Sequence, residues 1–124
     1  MTVKHKHLLV RAEIDSPPKD TRYIRKWVRK LIRNIKMKML GQPSAHYVDE
    51  VGNRGLTCVA SIQTSHIAFH CWDESSPAVM QLDVYTCSDL DEKVVFNHMS
   101  TFSPRSIKYK YYDRENNFKL LKET

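Results

Sequence analysis

Between Gly55 and Cys87 the chain gathers a hydroxyl, imidazoles, carboxylates and a thiol: Ser65-His66, then His70, then Trp72 and Glu74, then Asp83 to Cys87. Groups of these types on neighbouring strands suit nucleophilic attack by a hydroxyl, with an imidazole and a thiol moving protons. A metal centre is not expected. His66 and His70 stand four apart on a strand, roughly 13 Å at about 3.3 Å per residue, too far to ligate one ion. Taken singly, each histidine also reads as a strand residue hydrogen-bonded within the fold, and Cys87 as a small buried hydrophobe. Cys58 and Cys71 are read as packing, with Cys71 pointing away from His70 by alternation. Three cysteines without paired CxxC spacing suggest neither a disulfide framework nor a zinc ribbon.

The elements that must position these groups follow from periodicity. Leu8, Val10, Ala12 and Ile14 alternate with polar neighbours, the period of a strand with one buried face. Asp15-Ser16-Pro17-Pro18 supplies a cap and prolines suited to a helix start and Gly41 a stop, so a basic helix is expected over 18–40. Its stripe of Ile24, Trp27, Val28, Leu31, Ile35 and Met39 can pack on a sheet. Ser44 to Val51 reads as a short strand before the turn Gly52-Asn53-Arg54-Gly55. Alternating runs from Leu56 to Ile62, Ile67 to Cys71 and Met80 to Val84 predict three more strands, with a hairpin loop at Asp73 to Pro77. Ser88 and Asp91 have the spacing of a helix cap pair before a second helix near Leu90 to Met99. Ile107 to Tyr112 then forms a last strand before a polar tail. This order predicts an α/β fold: a two-layer sandwich, mostly antiparallel, with the helices on one face.

A length of 124 residues, 41% hydrophobic and 27% charged, fits a single domain over 1–124. No apolar run approaches the roughly 20 residues of a membrane span, and the start Met1 to His7 lacks a secretion signal's apolar stretch, so a cytoplasmic protein without membrane contact is expected. The net charge of +6 lies largely in the first helix. Arg22, Arg25, Lys26, Arg29, Lys30, Arg33 and Lys36 are read as a solvated face, and nucleic acid is not an expected partner.

The ordered set of Ser65-His66, His70 five residues after the serine, Trp72 with Glu74, and Asp83-Val84-Tyr85-Thr86-Cys87 resembles the S-adenosylmethionine decarboxylase family in its short prokaryotic form. His7-Leu8-Leu9-Val10 followed by a helix extends the resemblance along the chain. What it implies is a pyruvoyl-dependent proenzyme that cuts itself between Thr64 and Ser65, giving a beta chain of residues 1–64 and an alpha chain of 65–124. Amino-acid decarboxylation leaves electrons on the α-carbon, and the implied cofactor that accepts them is a pyruvoyl group derived from Ser65. By the same resemblance, Ser65 attacks the Thr64 carbonyl and His70 removes the Ser65 α-proton in ester elimination. Thr57 hydrogen-bonds the oxygen of the tetrahedral intermediate, and Cys87 returns a proton to the substrate α-carbon. Glu74 is the implied ligand of substrate hydroxyls, with Tyr47 and Trp72 completing the substrate-binding set. The partners implied are a small-molecule substrate and a second copy in a homodimer.

Several positions depart from the family pattern. Thr64 stands where the family often has Glu or Lys, Asp73 replaces a Pro, Ser88 replaces a Gly, and Val51 falls near the place of the adenine-stacking ring, leaving Tyr47 as the nearest aromatic. Two alternatives therefore stand beside decarboxylation of S-adenosylmethionine for spermidine synthesis. One is decarboxylation of ornithine or arginine, with Asp49, Glu50 or Asp73 opposite the distal cation. The other is a non-catalytic regulatory relative on the same fold.

Overall fold

The computed structural model describes residues 4–63 and 65–124, so Thr64, on the acyl side of the expected cut, lies outside the described residues. The element order is β1 (Lys6–Ile14), α1 (Thr21–Asn34), β2 (Ser44–Val48), β3 (Gly55–Ile62), β4 (Ser65–Trp72), β5 (Ala78–Thr86), α2 (Glu92–Met99), a short 3-10 turn (Ser100–Phe102), β6 (Pro104–Asp113) and β7 (Lys119–Glu123). The strands form one sheet in the order β2-β3-β4-β5-β1-β6-β7. Every named pairing is antiparallel. This is the expected two-layer α/β architecture.

One face of the sheet is apolar. Leu8, Val10, Ala12 and Ile14 of β1, Leu56 and Cys58 of β3, Ile67 and Phe69 of β4, and Met80, Leu82 and Val84 of β5 are all buried. Ile24, Trp27, Val28 and Leu31 of α1, with Val95 and Met99 of α2, cover them. Trp27 packs against Phe69 and Phe102 with ring centroids 5.6 and 4.9 Å apart. The alternate residues of the same strands make a second face that neither helix covers.

Local chemistry moves several expected boundaries. Asp20, not the Asp15 turn, caps α1 by accepting from the Arg22 N–H at 3.0 Å. The helix ends at Asn34, well before Gly41, because Lys36 turns left-handed at φ 63°. Met39 then bridges to Ile62 beside a Leu40 N–H to Ser61 carbonyl bond of 2.9 Å, so residues expected at the helix end instead extend the sheet. At α2 the Asp91 carboxylate accepts from the Lys93 N–H, and Ser88 takes no part in the cap. The expected polar tail contains β7, whose five exposed residues pair with β6 without burying an alternating face. β6 itself begins at Pro104 rather than Ile107.

Gly55, at the head of β3, tolerates no side chain: a Cβ there would lie 1.6 Å from the Cys71 carbonyl oxygen. That close approach sets β3 against β4 where the candidate residues sit. Among the described residues no helix is long and apolar enough to cross a membrane.

Candidate active site

The expected chemistry falls at two places along the β3–β4 hairpin. Ser65 is the first residue of β4, and its Oγ lies 3.5 Å from Cys87 Sγ, just past the end of β5. The Ser65 hydroxyl also donates to the Gln63 carbonyl at 3.3 Å, and the Cys87 thiol reaches the same oxygen at 3.9 Å. A hydroxyl, a thiol and a main-chain carbonyl thus meet at the turn where the sequence expects the cut. Both side chains are half-buried.

Thr57 and His70 form the second place. They are direct cross-strand partners on the uncovered face, with Thr57 Oγ1 and His70 Nδ1 3.2 Å apart. Trp72 stacks beside His70 at 6.0 Å, and its indole N–H donates to Asn53 Oδ1 at 3.0 Å. Five residues of extended strand put His70 roughly 16 Å along the chain from Ser65, at about 3.3 Å per residue. Within one chain, the structure joins Ser65 to Cys87 and Thr57 to His70, and does not bring the two pairs together.

The expected substrate-binding groups are engaged elsewhere. Glu74 accepts from the Arg54 backbone N–H at 2.9 Å. That bond, a second from the Gly52 N–H and the Arg54 charge hold its carboxyl below the usual range, so it fastens the turn ahead of β3. Tyr47 pairs with Leu56 and so faces the helix side of the sheet, opposite to His70 and Trp72. Its hydroxyl donates to the Asp73 carboxylate, at 2.9 Å to the nearer oxygen, and this bond raises the phenol above its ordinary value. Asp73, an alternative cation partner, is occupied by the same bond, and Asp49 by Arg54 at 2.7 Å.

Burial separates the three cysteines. It pushes the Cys58 thiol up to about 11 and the Cys71 thiol up to about 12, which keeps both protonated and inert within the core. Cys87, beside Ser65, is the half-exposed one.

A further cluster was not foreseen as a unit. His7, His66 and Asp83 sit on adjacent strands of the uncovered face, their ligand-type atoms all within 4.8 Å of one another. His7 Nε2 is 2.5 Å and His66 Nε2 3.4 Å from Asp83 Oδ1. Arg114 donates to His7 Nδ1 at 3.1 Å, and because a guanidinium cannot accept, that bond leaves the His7 proton on Nε2, facing Asp83. Burial pushes the Asp83 carboxyl up, but the His7 hydrogen bond and the nearby imidazoles outweigh it and hold it below its usual range. The cluster has the donor set of a two-histidine, one-carboxylate metal site, yet Arg114 occupies the ring nitrogen that a metal-bound histidine turns toward an acceptor. The individual residues were visible in the sequence. The strand register that joins His7 to Tyr85 and Tyr85 to His66 was not.

A depression of about 620 Å³ runs over the uncovered face between these groups, with Leu9, Arg11, His70, Gln81, Asp83 and Lys110 in its lining. Its volume is that of a small-molecule site.

Comparison with known proteins bears on this arrangement. The family model for S-adenosylmethionine decarboxylase matches residues 12–115. S-adenosylmethionine decarboxylase proenzymes from Pyrobaculum arsenaticum and Pyrobaculum islandicum are 42% and 39% identical over 64 residues. Those alignments take in about half of this chain and half the length of each curated relative. The crystal structure of the adenosylmethionine decarboxylase from Aquifex aeolicus superimposes with a TM-score of 0.75 at 17% identity, covering 94% of this chain and 95% of that one, and so supports the fold. The family match spans both halves of the sequence, from β1 to the end of β6, and on that ground the chain belongs to the S-adenosylmethionine decarboxylase family.

Proposed function

We propose that this chain is a cytoplasmic, self-cleaving, pyruvoyl-dependent decarboxylase of S-adenosylmethionine, supplying the aminopropyl donor for spermidine. The observation that carries the reading is the contact of Ser65 Oγ with Cys87 Sγ beside the Gln63 carbonyl, in a family whose relatives are named proenzymes.

In this reading the Ser65 hydroxyl attacks the Thr64 carbonyl carbon, forming an ester as the Thr64–Ser65 amide bond breaks. Removal of the Ser65 α-proton expels the Thr64 carboxylate, and water displaces the remaining nitrogen as ammonia to leave a pyruvoyl group at residue 65. The position fits such a group, since Ser65 opens a strand at a turn with its side chain half-buried rather than packed in the core. Once formed, the group supplies the electron-accepting carbonyl that decarboxylation requires. Cys87, within van der Waals reach of residue 65, delivers the proton to the substrate α-carbon after carbon dioxide leaves.

His70 and Thr57 take up the α-proton and the developing oxyanion in trans. Their distance from Ser65 within one chain supports a homodimer in which a second copy packs on the uncovered face, and the partly exposed Leu9 and Val59 on that face suit such burial. The substrate preference rests on the family match, because Tyr47 and Glu74 are held by Asp73 and Arg54.

Mass spectrometry of the denatured protein is the test. Two chains are expected, one ending at Thr64 and one beginning with pyruvate, and an intact chain with an unaltered Ser65 after prolonged incubation would favour the non-catalytic reading. Ser65→Ala and His70→Ala chains, each uncleaved alone, are expected to restore cleavage of the His70→Ala chain when co-expressed; no restoration removes the shared-site arrangement. Comparing kcat/KM for S-adenosylmethionine, ornithine and arginine decides the substrate, with the first expected to be highest.

A further inference from the structure

The helix layer carries a second concavity, on the side of the sheet away from His70 and Asp83. Where α1 and α2 diverge, a cleft of about 500 Å³ opens between them, within the size range of small-molecule sites. Lys26, Lys30 and Asn34 of α1 form one wall, Asn97 and Thr101 the other, and among the described residues no carboxylate lines it. Every one of these side chains offers a hydrogen-bond donor. His98, on the floor, donates Nε2–H to the Trp27 carbonyl at 2.8 Å. Burial and the Lys30 charge hold its pKa below the ordinary value, so the lysines supply the cleft's charge.

Three further features of this region bear on what the cleft could hold. α1 contains six Lys and Arg residues and no acid: Arg22, Arg25, Lys26, Arg29, Lys30 and Arg33. Among the described residues none of the six makes an ion pair, and Arg29 bonds the Gln42 side chain. Trp27, which also lines the cleft, carries a buried indole N–H without a hydrogen-bond partner. Such orphan donors are uncommon in folded proteins. Tyr23, at the cleft's end, meets Phe102 edge-on at 6.5 Å and leaves 40% of its surface exposed, an aromatic surface beside the lysines.

We propose that the α1–α2 cleft binds a nucleoside phosphate, with Lys26 and Lys30 on the phosphates and Tyr23 against the base. The two ammonium groups sit one helical turn apart, roughly 6 Å at their stems, and so bracket a diphosphate. The concave shape favours a small ligand over a nucleic-acid backbone, which would run along the outer row of Arg22, Arg29 and Arg33. The site is independent of Ser65 chemistry, so its success or failure leaves the decarboxylase reading untouched.

ADP titrated into the full chain by calorimetry is the probe, with inorganic pyrophosphate, adenosine and a single-stranded RNA oligonucleotide as separate arms. Saturable one-to-one binding of ADP is expected, with pyrophosphate and adenosine each at least about tenfold weaker. The exposed pair Lys26→Glu/Lys30→Glu should weaken ADP about tenfold or more, and Tyr23→Ala about fivefold. Amide chemical shifts of His98 and Thr101 should move on titration, locating the ligand independently of the variants. The proposal is overturned by absence of ADP binding, by binding that the lysine pair does not affect, or by pyrophosphate binding as tightly as ADP. RNA binding tighter than ADP and dependent on Arg22, Arg29 and Arg33 overturns it in favour of a polyanion surface.

Discussion

The two faces of the sheet are built from the same strands and differ in almost every physical respect. On the helix side, Leu8, Leu56, Ile67, Phe69, Met80 and Val84 are fully buried in the apolar core. On the other side, their immediate neighbours in sequence are His7, Thr57, His66, His70, Asp83 and Tyr85, half-buried and joined by hydrogen bonds across strands. Period-two alternation is enough to separate the two sets. What a residue touches within its face depends on register, and here the faces diverge. An aliphatic side chain packs acceptably beside any other, so the helix side tolerates ignorance of register, while a histidine acts only through the particular group opposite it.

The sharpest break in the comparison comes at the start of β4, where one substitution should abolish function without touching the core. Ser65→Ala is expected to remain full length and inactive, since it removes the hydroxyl proposed to attack the carbonyl of residue 64. Cys87→Ala should still cleave, while decarboxylation falls by about 10²- to 10⁴-fold, the usual worth of a positioned proton donor. Following chain cleavage on denaturing gels and carbon dioxide release in parallel separates the two. Wild-type turnover in Cys87→Ala removes the thiol from the mechanism.

The helix side should show the reverse behaviour. Phe69 is fully buried between Trp27 and Phe102, with centroids 5.6 and 5.8 Å away. Phe69→Ala is expected to cost about 3–5 kcal/mol through lost burial and a residual cavity. Thr57→Ala, on the opposite face of the neighbouring strand, should cost about 1 kcal/mol, the worth of its bond to His70, yet slow self-cleavage. Urea denaturation measures both. Equal losses for the two would erase the distinction between a face that holds the fold and one that holds the chemistry.

A smaller effect should distinguish the faces by pH. The Asp83 carboxyl is held below its unfolded value, so its contribution to stability is complete above about pH 4 to 5 and is lost as pH falls through the folded value. Asp83→Asn cannot show that loss. The stability advantage of the wild type over this variant is therefore expected to shrink as pH falls from about 5 to 3. A difference that stays constant over that range, measured by thermal denaturation, would mean that the His7 and His66 contacts do not favour the ionised carboxylate.

How much of this was legible beforehand follows from the same contrast. The strands β1, β3, β4 and β5 and both helices were readable because their buried residues repeat at periods of two or of three and four. β7 was not, because Lys119 to Glu123 buries nothing, and a strand held only by its pairing leaves no alternation to read. At the site, the types Ser65, His70 and Cys87 were recognisable, and so was the inward placement of Cys58 and Cys71. Tyr47 and Glu74 are tied to substrate by the family resemblance alone, which carries no information about which face a β2 residue takes or which turn a carboxylate fastens. His7, His66 and Asp83 lie up to 76 positions apart in sequence and meet only through two strand pairings.

The smallest expected effect concerns the arginines of α1, and it tests whether charge on the helix layer reaches the chemistry on the other side. Arg25, Arg29 and Arg33 recur every four residues and stand off the buried stripe of Ile24, Val28 and Leu31. Arg29 bonds the Gln42 side chain at 3.1 Å, and Arg25 and Arg29 are half-buried, so reversal to Glu should lower stability modestly through their aliphatic stems. The sheet and its apolar layer separate these charges from Asp83 and His70, and at physiological ionic strength the screening length is about 8 Å. The triple variant Arg25→Glu/Arg29→Glu/Arg33→Glu is therefore expected to cleave at Ser65 and turn over substrate within about twofold of wild type, a margin of under 1 kcal/mol. Kinetics at low and high salt provide the check. A loss of tenfold or more that added salt reverses would show that the basic helix steers an anionic reactant toward the uncovered face, and the two sides of the sheet would then act on one ligand rather than on two.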